Sequence, residues 1–138
     1  MKQTFFILLL VAAFATISFG QRIEDGSRKT IGYIESGTVE NGSRSTIGYI
    51  GSDGRVENGS RSTIGYINKD GRVENGSRRT IGYISDNGTV ENGSRSTIGY
   101  VNMNGRVENG SRSTIGYAEG VDPRHAALLF FFFFKPDK

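Results

Sequence analysis

An all-β fold of about six tandem 17-residue β-hairpin repeats, in a radial or closed pseudo-symmetric arrangement, follows from three features of this 138-residue chain. One block recurs almost literally along most of the sequence. Within each block apolar and polar residues alternate with a period of two. Turn dipeptides separate the alternating runs at a fixed interval.

The block Val-Glu-Asn-Gly-Ser-Arg-Ser-Thr-Ile-Gly-Tyr-Ile fills Val39–Ile50 and Val56–Ile67. It returns with single changes at Val73–Ile84, Val90–Val101 and Val107–Ala118, and a more divergent copy opens the series at Ile23–Ile34. Valines at 39, 56, 73, 90 and 107 hold the period at 17 residues. A unit this small cannot bury its own apolar face, so the copies must pack against one another.

Taken in chain order, residues 1–20 read as a cleaved export signal. Met1 and Lys2 give a positive start, Phe5–Ala15 is apolar, and Ser18-Phe19-Gly20 offers small residues to a signal peptidase, with Gln21 as the mature start. Phe5 to Phe19 is only 15 residues, short of the roughly 20 that span a bilayer. The chain then divides into a signal peptide (1–20), a hairpin-repeat domain (21–118) and an apolar capping tail (119–138). The mature protein is expected to be exported, periplasmic or extracellular, with no transmembrane span.

Each repeat supplies two strands, seen in Arg55-Val56-Glu57 and Thr63-Ile64-Gly65-Tyr66-Ile67, whose β-branched and tyrosine content suits a pleated surface. Asn58-Gly59, leading into Ser60-Arg61-Ser62, and Asp70-Gly71 mark the turns between them. About a dozen short antiparallel strands result. From Ile23 to Val39 is 16 residues, and the missing one falls in Glu35-Ser36-Gly37-Thr38, where other copies have a five-residue connection such as Gly51–Arg55. Length varies there because it is a loop. Strict alternation puts Ile64 and Tyr66 on one face and Thr63, Gly65 and Ile67 on the other. Apolar residues on both faces point to petals about a common axis or a closed barrel. Gly65 is expected to admit a neighbouring backbone or a tyrosine ring.

The pattern stops after Tyr117. Asp122-Pro123 is a helix start, an N-cap acid followed by proline. Ala126–Phe134 is apolar throughout and ends in five phenylalanines. A short helix apolar on all sides is expected to be buried, as a plug or lid on the repeat assembly. Contact with a membrane surface is one alternative, and a strand is another, since phenylalanine favours strands.

Blocks of the form Arg-(Ile/Val)-Glu-(Asp/Asn)-Gly-x-Arg-x-Thr-Ile-Gly-Tyr-Ile, here Arg22–Ile34 and the five later copies, are followed by Ala118-Glu119-Gly120-Val121 and by Ala126-Ala127 before the Phe tract. This combination resembles the bacterial four-fold β-flower family. The resemblance implies an all-β pseudo-symmetric fold in an exported protein, and it supplies no catalytic residues.

Composition narrows the chemistry. There is no cysteine, which excludes disulfides, thiolate metal ligands and lipid attachment at a cleavage-site cysteine. His125 is the only histidine, so no histidine-based metal cluster is possible, and no cofactor is expected. Charges of both signs are interleaved within every repeat, which argues against nucleic acid as a partner. Asn-Gly-Ser sequons begin at Asn41, Asn58, Asn75, Asn92 and Asn109, but the first copy has Asp25-Gly26-Ser27 in the same place. Turn chemistry accounts for all six positions and glycosylation for five.

Candidate binding residues are those that recur. Arginines at 28, 44, 61, 78, 95 and 112 follow the Gly-Ser loop, with a glutamate four residues before Arg44, Arg61, Arg78, Arg95 and Arg112. They form either a ring of guanidinium groups for carboxylate or phosphate, or Glu–Arg pairs within the hairpins. The tyrosines are either stacking platforms for sugars or core residues with a hydroxyl near the rim. The candidate set is Arg44, Arg61, Arg78, Arg95 and Arg112 with Tyr49, Tyr66, Tyr83 and Tyr100. Near-identical repeats present the same groups many times, whereas catalysis needs one asymmetric constellation, so no enzyme is expected. The expected function is a structural or interaction protein of the bacterial cell envelope. The alternative is a multivalent glycan-binding module, in which weak sites gain by repetition. A cell-envelope glycan or protein is the corresponding partner.

Overall fold

In the computed structural model, which describes residues 20–135, the alternating runs form twelve strands. They are β1 (Gln21–Asp25), β2 (Thr30–Glu35), β3 (Thr38–Asn41), β4 (Thr46–Ile50), β5 (Arg55–Asn58) and β6 (Thr63–Ile67) in the first half. The second half holds β7 (Arg72–Asn75), β8 (Thr80–Ile84), β9 (Thr89–Asn92), β10 (Thr97–Val101), β11 (Arg106–Asn109) and β12 (Thr114–Tyr117). Each strand pairs with its sequence neighbours, and β1 pairs antiparallel with β12, so the sheet closes into one barrel with no free edge. The predicted signal peptide lies outside the described residues. Among those described, no helix is long and apolar enough to cross a membrane.

One feature of the register departs from strict alternation. Val56 faces Gly65 and Glu57 faces Thr63, so Ile64 is an extra residue on its strand. The same slip recurs at Ile31, Ile47, Ile81, Ile98 and Ile115. These bulges free the isoleucines from the outward face that alternation assigns them, and all six pack against the core. The tyrosines stay outside. Both faces looked apolar because the isoleucine and the tyrosine, two residues apart, do not share a side.

The two ends of the barrel use different turns. At one end, Gly54, Gly71, Gly88 and Gly105 sit at φ 89–92° as the last residue of three-residue loops, a left-handed position that glycine adopts without penalty. The shortened connection is a two-residue turn, with Ser36 at φ 49° and Gly37 at φ 83°. Both residues are left-handed, as a primed hairpin turn requires. The lost residue is thus a change of turn type, made without disturbing the strands on either side.

The tail fills the interior. The Asp122 side chain caps helix α1 (Pro123–Ala127) by accepting from the Arg124 amide at 2.8 Å, with Pro123 in the first turn. Arg124 anchors this entry to the rim through the carbonyls of Asn68 (3.3 Å) and Lys69 (3.1 Å) and the Asp86 carboxylate (3.2 Å). The helix then widens into a π-helical turn over Leu128–Phe132, where the Phe133 amide donates to the Leu128 carbonyl at 2.7 Å. Ala126, Ala127 and Leu128 are fully buried, alongside Val56, Val73, Val90 and Val107 from the wall.

Below α1 the phenylalanines meet the strand glycines one to one. Phe130 lies over Gly116, Phe131 over Gly99, Phe132 over Gly82, Phe133 over Gly65 and Phe134 over Gly48, each ring so close that a Cβ on the glycine would overlap it. The ring admitted by Gly65 is therefore a phenylalanine of the tail and not a tyrosine. Six hairpins share one full turn, about 60° apiece, whereas an α-helix advances about 100° per residue. Winding to π reduces that step and brings successive rings nearer to successive hairpins.

Candidate functional site

The recurring arginines, glutamates and tyrosines meet on the outer wall, near the Gly-Ser-Arg end. In the β3–β4 loop the Asn41 carboxamide oxygen accepts from the amides of Ser43 (2.9 Å) and Ser45 (3.0 Å), and the Arg44 amide donates to the Asn41 carbonyl (3.0 Å). Asp25 accepts in the same way from Ser27 and Lys29. The oxygen of the sequon side chain is thus committed to the turn in every copy, as turn chemistry requires.

This loop places Arg44 at φ 68°, and Arg28, Arg61, Arg78, Arg95 and Arg112 lie at 68–69°. A left-handed non-glycine residue costs on the order of 1–2 kcal/mol. The opposite end of the barrel puts glycine at the equivalent loop position, so the arginine is not there to make the turn. From this backbone its guanidinium lies flat on the tyrosine of the preceding hairpin. Arg44 covers Tyr33, Arg61 covers Tyr49, Arg78 covers Tyr66, Arg95 covers Tyr83 and Arg112 covers Tyr100, each at 3.5 Å from the ring centroid. Arg28 covers Tyr117 at 3.6 Å and so ties the first hairpin to the last.

The same guanidinium donates to the glutamate four residues earlier, at 2.9–3.2 Å in all six copies. Arg22, Arg55, Arg72 and Arg106 add a second contact to Glu24, Glu57, Glu74 and Glu108. Thr38 and Thr89 replace that second arginine, and Glu40 and Glu91 are correspondingly more open, with side chains 26% and 21% exposed against 7–12% for the rest. Hydrogen bonding from Arg112, with help from Asn102 and Arg106, holds the Glu108 carboxyl below the ordinary carboxylate range.

Of the two sequence readings of the arginines, the structure contains the Glu–Arg pairs within the hairpins. The tyrosines are neither core residues nor bare platforms. Each is half-buried on the outside, with one face roofed by arginine. The arginine side chains remain 48–65% exposed and present a guanidinium edge to solvent. The candidate set lacked Arg28, Tyr33 and Tyr117, which complete the belt; Arg28 stands in the same register of the divergent first copy. Between the second and third hairpins the short turn at Ser36-Gly37 and the missing arginine at Thr38 leave a polar depression of about 470 Å³ beside Tyr49, Arg55 and Arg61.

Among the described residues no cluster of histidine, aspartate or glutamate is placed to hold a metal. Residues 20–135 match the family model described as 5-fold beta-flower protein. The chain belongs to the 5-fold beta-flower family. The resemblance read from the blocks and the Phe tract holds at the level of the beta-flower, and the member it named, the four-fold, is replaced by the five-fold. Comparison with curated proteins and with solved structures gave no match. In this beta-flower six hairpins close the ring and five of them hold a phenylalanine ring.

The strain at the belt arginines gives a direct test. Arg61→Ala keeps the left-handed backbone cost while losing the stacking and the ion pair, each worth up to about 1 kcal/mol at an exposed site. It is expected to destabilise by roughly 1–2 kcal/mol in chemical denaturation. Arg61→Gly loses the same contacts but relieves the strain, and should stay within about 0.5 kcal/mol of the parent. Equal losses for the two substitutions would mean that the backbone stores no strain.

Proposed function

We propose that this protein is an exported, non-catalytic interaction module of the bacterial cell envelope that works through its outer wall. The observation that carries the reading is the filling of the barrel by its own tail. Leu128 and the phenylalanine rings occupy the lumen over five of the six hairpins, and the repeated polar pairs of arginine and glutamate do not converge there on one catalytic centre. The polar groups lie outside, repeated six times on a closed and rigid frame. A signal-like residues 1–20 supports export.

A second reading, multivalent binding of anionic or hydroxyl-rich glycans at the belt, is favoured by the left-handed arginines. Strain held at six equivalent positions, where glycine would turn the chain as well, argues that the guanidinium itself is wanted there. A ring of weak sites gains by simultaneous engagement of one polymer.

A binding screen on the purified protein tests both readings, using peptidoglycan sacculi, a soluble glycan panel and detergent-extracted envelope proteins. Retention of a discrete envelope protein, with no glycan bound, fits the first reading. Saturable retention on glycan that falls when Arg61 and Arg78 are both changed to Gly fits the second. Release of soluble fragments from sacculi would overturn the non-catalytic reading.

A further inference from the structure

Five of the six inward glycines lie beneath a phenylalanine ring, and Gly32 does not. The atoms nearest to a Cβ built there are backbone, led by the Glu40 carbonyl oxygen at 2.6 Å. Beside Gly32 lies an open cavity of about 420 Å³, with apolar walls from Ile23, Ile31, Ile47, Leu129, Phe130 and Phe134. The order of the tail explains why. Its rings descend from Phe130 over Gly116 to Phe134 over Gly48, so the next residue in line for Gly32 is Lys135. Lys135 lines this cavity together with Lys29, and both lysines are exposed.

We propose that this cavity binds a small aromatic carboxylate, its ring against Gly32 and its carboxylate between Lys29 and Lys135. Three observations select that ligand. The barrel itself shows what fits: at five equivalent glycines the occupant is a phenyl ring. The volume suits a ring with a short chain, since a dry cavity of about 150 Å³ already accepts benzene and ligand pockets run from roughly 300 Å³ upward. The charge is complementary, because among the described residues neither lysine is in an ion pair, while the nearby Glu40 carboxylate is held by Arg44. A carboxylate between two ammonium groups makes charge-assisted hydrogen bonds that a neutral head group cannot. Tyr33 and Glu40 of the outer belt also border this cavity, but the proposal does not depend on the function of the belt.

Calorimetric titration of the purified protein with phenylpropionate, phenylpropanol and octanoate is the test. Phenylpropionate should bind saturably at one site, more tightly than either of the others. Lys135→Gln should weaken phenylpropionate several-fold and leave phenylpropanol unchanged. Lys135→Phe extends the tract onto the sixth hairpin, and should abolish binding of all three probes while raising the melting temperature. Tighter binding of octanoate would overturn the aromatic assignment. No saturable uptake of phenylpropionate would overturn the site altogether, as would unchanged binding in Lys135→Phe. If residues 1–19 or 136–138 of the chain fill the cavity, neither aromatic probe binds and Lys135→Phe lowers stability, which also overturns it.

Discussion

Deleting residues 126–138 is expected to leave no folded monomer. Eight strands close around a lumen that side chains alone can fill, while sixteen or more leave a water channel. Twelve strands fall between these cases, and the inward side chains here are valine, isoleucine and glycine, too small to meet across the axis. The tail supplies the missing volume. Truncating one buried phenylalanine typically costs about 3–5 kcal/mol, so removing buried Phe130, Phe133 and Leu128 together with three half-buried rings reaches the roughly 5–15 kcal/mol that holds a domain together. The truncated chain should lose its cooperative thermal transition, bind hydrophobic dyes and aggregate. A truncated protein that remains monomeric, soluble and equally heat-stable would show that the wall stands without its plug.

Gly82→Ala is expected to cost several kcal/mol, and Gly32→Ala distinctly less. At Gly82 a new methyl group overlaps both the Phe132 ring and the Glu91 carbonyl, so strand and ring must shift together. At Gly32 it meets only the Glu40 carbonyl at 2.6 Å, with the cavity alongside. The backbone part of the penalty is common to both, so the difference isolates the ring and should fall in the range of about 1–3 kcal/mol for overpacking. Denaturant midpoints at unchanged slope measure it. Equal losses at the two positions would mean that ring contact does not constrain the glycines.

Much of this architecture could be read from local pattern. The hairpins follow from alternation and turn dipeptides, and Glu35–Thr38 revealed itself as a loop because a residue could be lost there. The helix start at Asp122-Pro123 and the burial of the Phe tract also follow from short segments. Other features depend on contacts between segments distant in sequence. Nothing near Gly82 indicates that its partner is Phe132, and a tyrosine of a neighbouring repeat is the nearer guess. The bulge at Ile64 is equally hidden, because an extra residue changes the side on which a chain faces without changing its composition. For the candidate site, the repeated Glu and Arg positions announced their pairing. The stacking of each arginine on the previous hairpin's tyrosine needed the register of the closed sheet.

The order of assembly along the chain carries a further consequence. The segment that forms the centre of the barrel follows all twelve strands in the chain, and the ring closes only when β12 reaches β1. Neither event can occur on a partly made chain, so the growing polypeptide has no stable native subset to settle into. Contacts between the two ends demand long-range closure and slow folding. Until that segment emerges, the repeats remain open strands that a holding chaperone can keep extended. Folding is thereby timed by the plug: its arrival reports that every hairpin before it is present.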